Sequence, residues 1–295
     1  MKVCLIVNPN AGRKAGLTIA ARVAALLGEA GIESAQFVSQ VAGGTRRIAA
    51  AIDPTAWDAI VTVGGDGSLF EVINGLLEHT DSIPVPLGLV PVGTGNSFIR
   101  DLGITSPDEA VERIVAGVTR SVDLGRFTCE VGSFWFVNLL GAGFVSNVAY
   151  RAKRMKGLGS WSYILGVIGE VIGLKSTAID LEIDGTKIRR DAIFVEICNS
   201  RFTGGTMMMA PSARIDDGML DIIVAGRMPR RMVLKLLPAI FSGSHVESPA
   251  VEVFTGRSVQ LRAAAPLALT PDGETFGATP IDVSVHSGML EMYGA

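Results

Sequence analysis

The chain has 295 residues, of which 48% are hydrophobic and 19% charged, with a formal net charge of -3. That length favours two domains over one, and the slightly acidic balance excludes a global electrostatic footprint for nucleic acid. Three dispersed cysteines, Cys4, Cys129 and Cys198, show no CxxC spacing and point to a reducing, cytoplasmic setting rather than a disulfide framework.

Met1 to Pro9 is too short an apolar run for a signal peptide and reads as a buried first strand. Asn8-Pro9-Asn10-Ala11-Gly12-Arg13-Lys14 is a polar turn with two cations. Ile19 to Ala30 then has helical spacing closed by Gly31, Ile32 to Val38 is a strand, and Thr45 to Ile52 is a short helix. Asp58 to Val63 is an apolar strand that breaks into Gly64-Gly65-Asp66-Gly67-Ser68, followed by a helix from Leu69 to Leu77. Glycines let backbone N–H groups converge on an anion, and a helix N-terminus aims its dipole there, so this loop is a candidate phosphate site; a plain tight turn reads equally well. Leu87 to Val90 is a further strand and Pro91-Val92-Gly93-Thr94-Gly95-Asn96 a second glycine loop. Ser106-Pro107-Asp108-Glu109 opens a helix with a capping box. The order βαβαβα predicts a parallel sheet with helices packed on it.

Beyond about Arg126 the pattern changes. Ile179 to Gly185 alternates apolar and charged residues into an Asp-Gly turn, and Ile193 to Ile197 returns, a hairpin signal. Leu220 to Ala225, Val251 to Phe254, Ser258 to Ala263 and Ile281 to Val285 are short strands separated by Gly, Pro or charge. The expected fold is therefore α/β: a three-layer α/β nucleotide domain over residues 1–125, then a mainly antiparallel, sandwich-like β domain over 126–286. Residues 287–295 are candidates for a return to the first domain. The best membrane candidate, Trp161 to Leu174, is short and carries Glu170 and three glycines, so it reads as a core or interfacial helix.

Three GxG elements, at Gly65, Gly93 and Gly141, never complete GxGxxG, since Phe70, Phe98 and Ser146 occupy the third position. Walker, protein-kinase and nucleophile-elbow motifs are absent, and His79, His245 and His286 have no zinc spacing. Arg214-Ile215-Asp216-Asp217-Gly218-Met219-Leu220-Asp221 offers several oxygen ligands for a hard cation such as Mg²⁺, or is a polar hairpin turn. Asp272-Gly273-Glu274 reads as a hairpin turn, or as two carboxylates presenting a base to a hydroxyl.

These stretches together resemble the diacylglycerol kinase catalytic family, which includes bacterial lipid kinases and sphingosine and ceramide kinases. The likeness rests on Gly64 to Ser68, Glu71 to Leu76 and Pro91 to Asn96. It continues through Asn8-Pro9 with Gly12, Val122 to Gly125, Asn138 with Gly141 to Phe144, Gly204-Gly205 before Ala210-Pro211, Asp216 to Asp221, and Asp272 to Glu274, all in the family's order. It implies an ATP- and Mg²⁺-dependent lipid kinase with ATP bound in a cleft between the two domains. By position, Asn8, Ser39, Gly64, Gly65, Asp66, Gly67, Ser68, Glu71, Thr94 and Asn96 would contact ATP. Asp66 would hold Mg²⁺ and phosphate in register. Asp217 with the carbonyls of Arg214 and Met219 matches a structural Mg²⁺ site. Glu274 matches the proton acceptor, supported by Asp272, with Asp123 as a further catalytic candidate. Ser68 stands for the commoner threonine, and Asn96-Ser97-Phe98 for the bacterial Asn-Asp-Phe, which leaves the lipid open between diacylglycerol-like and sphingoid types.

The lipid substrate implies peripheral contact with the inner membrane face. Arg151, Lys153, Arg154 and Lys156 before Trp161 and Tyr163 suit an anionic surface, or form a solvated helix end. Met207 to Met209 would line an acyl pocket or fill core. An NAD kinase, a non-catalytic nucleotide-binding regulator, and a homodimeric assembly stay open as alternatives.

Overall fold

The computed structural model describes residues 1–41, 43–93, 95–144, 146 and 173–295. It divides into two compact units, Met1–Leu124 with Ser287–Ala295, and Gly125–His286. Thr94, the cationic cluster from Arg151 to Lys156, and Trp161 and Tyr163 lie outside the described residues.

In the first unit, β1 (Lys2–Val7), β2 (Glu33–Val38), β3 (Ala59–Gly64) and β4 (Leu87–Pro91) form a parallel sheet in the order β4-β3-β1-β2. All six β3 residues are buried, and β1 is buried after Lys2, as expected for central parallel strands covered on both faces. The elements between and after them are the single turn α1 (Ala11–Lys14) and the helices α2 (Gly16–Glu29), α3 (Gly44–Ala51), α4 (Asp66–Leu76) and α5 (Pro107–Ala116). α2 packs with α5 and α3 with α4. Right-handed crossovers that run in opposite directions along the sheet put these pairs on opposite faces. Gly75 lets α4 close on α3, because a Cβ there would stand 2.3 Å from the Arg46 carbonyl oxygen.

Two boundaries and one capping contact depart from the sequence expectation. α2 begins at Gly16 instead of Ile19, since its first turn abuts Asn8, whose carbonyl oxygen would lie 2.1 Å from a Cβ at 16. α4 begins at Asp66, with Gly65 as its N-cap, so the acidic residue of the glycine loop is helical. At α5, Ser106 Oγ accepts the Glu109 N–H at 3.2 Å as predicted, but the Glu109 carboxylate reaches the Thr105 N–H (2.8 Å) rather than the N-cap amide.

The second unit is strand-rich. Its strands are β5 (Thr119–Cys129, entering from the first unit), β6 (Gly132–Phe136), β7 (Leu139–Gly143), β8 (Thr177–Ile183), β9 (Thr186–Cys198), β10 (Phe202–Thr203), β11 (Met207–Met208), β12 (Leu220–Gly226), β13 (Val251–Gly256), β14 (Ser258–Ala263), β15 (Leu269–Pro271) and the start of β16 (Ile281–Tyr293). One helix of ordinary length is described, α6 (Arg230–Ala239). Pairings within the unit are antiparallel. β9 is the hub: its first half pairs with β8 across the predicted Asp184-Gly185 turn, and its second half pairs with β7 and β12.

That second half of β9 is covered on both faces. Val195 and Ile197 join Phe127, Phe136, Leu140, Ile222 and Leu261 in one apolar cluster. Cys198 joins Leu139, Met209, Ile223 and Val251 in another, against which Leu236 and Ile240 pack. Phe127 centres an aromatic group, with Phe134, Phe136 and Phe276 rings at 5.8, 6.3 and 6.3 Å. No helix among the described residues is long and apolar enough to cross a membrane.

Candidate active site

The strand order of the first unit marks a crevice. From β1 the chain moves outward to β2, and from β3 it moves the other way to β4, so the topology switches between the carboxyl ends of β1 and β3, where open α/β sheets bind ligands. The residues emerging there are Asn8 after β1 and Gly64 to Ser68 after β3, and they meet: Asn8 Nδ2 donates to Ser68 Oγ at 2.9 Å. Two glycines keep this region open. A Cβ on Gly64 would stand 2.5 Å from Ser68 Oγ, and one on Gly65 would stand 2.8 Å from Asn96 Oδ1. Gly12, left-handed at φ 54, likewise brings the turn after β1 against Val92 and Gly93.

Asp66 sits in the first turn of α4, whose leading amides have no intrahelical acceptor. Its carboxylate accepts the Ser97 N–H (2.7 Å) and the Phe98 N–H (3.4 Å), tying the first glycine loop to the second. Burial pushes its pKa up to about 6, against the lowering effect of those N–H groups. Amide donors, glycine clearance and a helix N-terminus in one crevice fit a nucleotide phosphate chain. Glu71 lies on α4, one turn beyond Gly67. Ser39, buried at the end of β2, donates from Oγ to the Val41 carbonyl (3.0 Å) and belongs to its own loop. Asp123 on β5 is 2% exposed and accepts the Gly288 N–H at 2.7 Å.

The second unit builds a different carboxylate site. Glu274 N–H donates to the Pro271 carbonyl at 2.7 Å, with Asp272 at φ 46 and Gly273 at φ 79, the geometry of a type I′ turn. Asp272 is 5% exposed and takes three backbone N–H groups, from Val137 (3.0 Å), Asn138 (2.9 Å) and Leu139 (3.1 Å). Its own N–H returns to the Leu139 carbonyl at 2.8 Å. Asn138 is held in turn by Ser200, whose Oγ hydrogen-bonds Asn138 Oδ1. The turn that carries the half-buried Glu274 is thus bolted to residues 137–139, and Asp272 acts as a positioning residue.

Asp217 lies in the exposed turn before β12, where its Oδ1 accepts the Met219 N–H at 3.0 Å and Arg214 pairs with Asp216 at 3.6 Å. Among the described residues no group of three His, Cys, Asp or Glu side chains is arranged to hold a metal. Hard cations such as Mg²⁺ take carboxylate and carbonyl oxygens together with waters, and the exposed Asp217 carboxylate is of that chemical kind. Burial, joined by the Asp217 charge, raises the neighbouring Asp221 pKa to about 6.

One chemical group escaped the sequence pattern. Glu196 on β9 is 0% exposed, and among the described residues neither carboxyl oxygen has a hydrogen-bond partner. Burial pushes its pKa up to about 8. Gly141 stands opposite it on β7, and a Cβ there would lie 3.1 Å from both carboxyl oxygens.

Comparison with known proteins bears on the whole chain. Residues 2–127 match the diacylglycerol kinase catalytic domain, and residues 138–294 match the YegS C-terminal NAD kinase beta sandwich-like domain. The chain belongs to the diacylglycerol kinase family. A Mycobacterium tuberculosis diacylglycerol kinase is 31% identical over 99% of this chain and 94% of its own length. A Bacillus subtilis diacylglycerol kinase is 28% identical over 94% and 90%. Sphingosine kinase 1 of Arabidopsis thaliana is 27% identical over 84% of this chain and 61% of its own. Among solved structures, a candidate diacylglycerol kinase from Bacillus anthracis superposes with a TM-score of 0.83 at 26% identity, covering 100% of this chain and 97% of that one. An Archaeoglobus fulgidus NAD kinase in complex with ATP shares the fold, with a TM-score of 0.52 at 12% identity over 99% and 93%. The family makes this chain a kinase, with a mixed α/β architecture and a strand-rich second unit.

Proposed function

We propose that this diacylglycerol kinase family member transfers the γ-phosphate of ATP to a lipid hydroxyl, on a diacylglycerol-like or sphingoid acceptor. The observation that carries the proposal is the crevice between the carboxyl ends of β1 and β3, where Asn8, the Gly64 to Ser68 loop and Asn96 converge. The same region would hold the ATP phosphates through backbone amides, with Ser39, Glu71 and Thr94 as further contacts. Asp217, with the carbonyls of Arg214 and Met219, would hold a structural Mg²⁺, and Asp66 would set the register of a catalytic one. Such ions supply charge neutralisation to the phosphates when bound.

Phosphoryl transfer asks chiefly for positioning and electrostatic stabilisation, so the protein's remaining task is a proton. Glu274 would accept it from the lipid hydroxyl, on a turn whose geometry Asp272 fixes. Asp123 would be a second acidic candidate. General base catalysis contributes about 10²–10⁴-fold, so Glu274→Gln should lower kcat by at least about 100-fold with ATP affinity unchanged. Near-normal turnover would remove Glu274 from the role. Purified protein with labelled ATP and Mg²⁺ should label one of diacylglycerol, monoacylglycerol, sphingosine or ceramide. Transfer to NAD alone would favour the NAD kinase reading that the shared fold suggests, and no transfer to any acceptor would favour a non-catalytic binding protein.

A further inference from the structure

Among the described residues of the second unit, α6 and its flanks carry charges of one sign over a long stretch. From Arg227 to Val246 the chain carries Arg227, Arg230, Arg231 and Lys235 and no aspartate or glutamate. None of these four cations makes an ion pair with a described residue, while cations elsewhere in the unit, such as Lys187, Arg190 and Arg262, do. The inward side of the helix is already satisfied. Val233 is buried, and Leu236, Leu237 and Ile240 pack on the apolar clusters that include Ile193 and Cys198. Yet the outward side is also apolar at its centre: Leu234 is 46% exposed, Phe241 on the following turn is 57% exposed, and Pro238 is exposed between them. The spacing i, i+4, i+7 sets these three in one stripe, with Arg230, Arg231 and Lys235 beside it.

We propose that this outer face of α6 docks on an anionic lipid surface, with Leu234, Pro238 and Phe241 entering the headgroup boundary and Arg230, Arg231 and Lys235 paired to lipid phosphates. Charge decides the partner. The molecule as a whole carries -3, so a long-range pull toward anionic lipid has to come from a local run of cations such as the stretch 227–246, which has no carboxylate of its own. Nucleic acid would engage the cations but gives no place to a Leu-Pro-Phe stripe, whereas an interfacial helix uses both sets of residues. A protein partner is disfavoured by size, because ten helical residues span only about 15 Å, less than a stable interface needs. The inference deepens the lipid kinase proposal and takes its purpose from it, since a kinase acting on a membrane lipid must reach the bilayer. Its test does not depend on turnover.

Full-length protein would be sedimented with vesicles of phosphatidylcholine alone or mixed with phosphatidylglycerol, and lipid phosphorylation measured separately in detergent micelles. Wild type should bind only the anionic vesicles. Each cation near such a surface contributes ~1 kcal/mol, about fivefold, so the double variant Arg231→Gln with Lys235→Gln should bind about 25-fold more weakly. Leu234→Ser with Phe241→Ser should also weaken binding severalfold. Lys187→Gln, with a side chain 82% exposed on β9, should change nothing. Circular dichroism melting would verify that the variants fold, and micellar activity should stay at the wild-type level. A loss below fivefold in the cation variant, equal binding to uncharged vesicles, or tighter binding to duplex DNA would overturn the inference. If no lipid is phosphorylated in micelles but vesicle binding follows the expected order, the function is wrong and the docking face stands. Micellar turnover without that order sinks the docking face alone.

Discussion

Asp272 and Glu196 lie in the same unit, nearly equally hidden from water, and are handled in opposite ways. Asp272 meets three backbone N–H groups, which replace the hydration that its charge loses. Glu196 meets Gly141 and an apolar sheet face, finds no partner among the described residues, and keeps its proton to about pH 8. Depth alone therefore says little about what a carboxyl group does. One of these groups organises a loop that carries a catalytic candidate; the other is tolerated only in its neutral form.

The sharpest way to break the contrast is Asp272→Ala. It orphans three amides in a buried turn and should cost about 3–5 kcal/mol of stability, read as a lower denaturant midpoint, with activity falling alongside. If the midpoint is unchanged, the N–H groups around Asp272 are not what holds the turn. Glu196→Leu should act in the other direction, gaining about 1–3 kcal/mol at pH 8.5 because it removes an unpaired buried acid and keeps apolar contact. A loss of similar size would mean that the carboxyl has a partner that matters.

The pH dependence tests the same point without changing the core's shape. In the folded chain Glu196 stays protonated up to about 8, while in the unfolded chain it ionises near its ordinary value of 4.5. The folded state then binds the extra proton, so stability falls as pH rises between those values, by up to about 1.4 kcal/mol per unit, and levels off above 8. Asp66 and Asp221, both raised to about 6, add the same sign at the acidic end of that window. His245 and His286, lowered from 6.5, act only below 6.5 and with the opposite sign, and Cys198, whose thiol is raised by burial and by the charges of Glu196 and Asp221, acts only above 9. Between pH 7 and 8 the slope belongs to Glu196, and Glu196→Gln should flatten it in thermal melts. The smallest effect expected is at Gly141→Ala, about 1 kcal/mol destabilising, as the new methyl crowds the Glu196 oxygens; no change would show that the carboxyl moves away freely.

The same pair explains what could be read from residues alone. The parallel strands, the glycine loops and the Asp184-Gly185 hairpin carry local signals, because apolar runs, glycines and turn chemistry are settled by near neighbours. Asp272-Gly273 showed its turn by the same logic. Its three amide donors did not show, since residues 137–139 are distant in sequence. Glu196 was masked by its own strand: Ile193-Phe194-Val195-Glu196-Ile197 looks like alternation with one face in water, but that face is covered by the cluster around Cys198. β7 went unseen for a related reason, as Gly141-Ala142-Gly143 drew attention as a loop motif while serving as a buried strand between β9 and β15. α6 has Pro229 for an N-cap, no side-chain cap bond and Pro238 inside, so none of the usual helix signals announced it.

The last strand has a consequence in time. Met292 pairs with Leu87 of β4, and residues 287–295 complete the first unit although residues 125–286 intervene. At about 5–20 residues per second, a ribosome needs on the order of ten seconds to pass from one to the other. Throughout that interval the Leu87 edge of the nascent parallel sheet has no native neighbour, which is the condition under which exposed strand edges recruit one another.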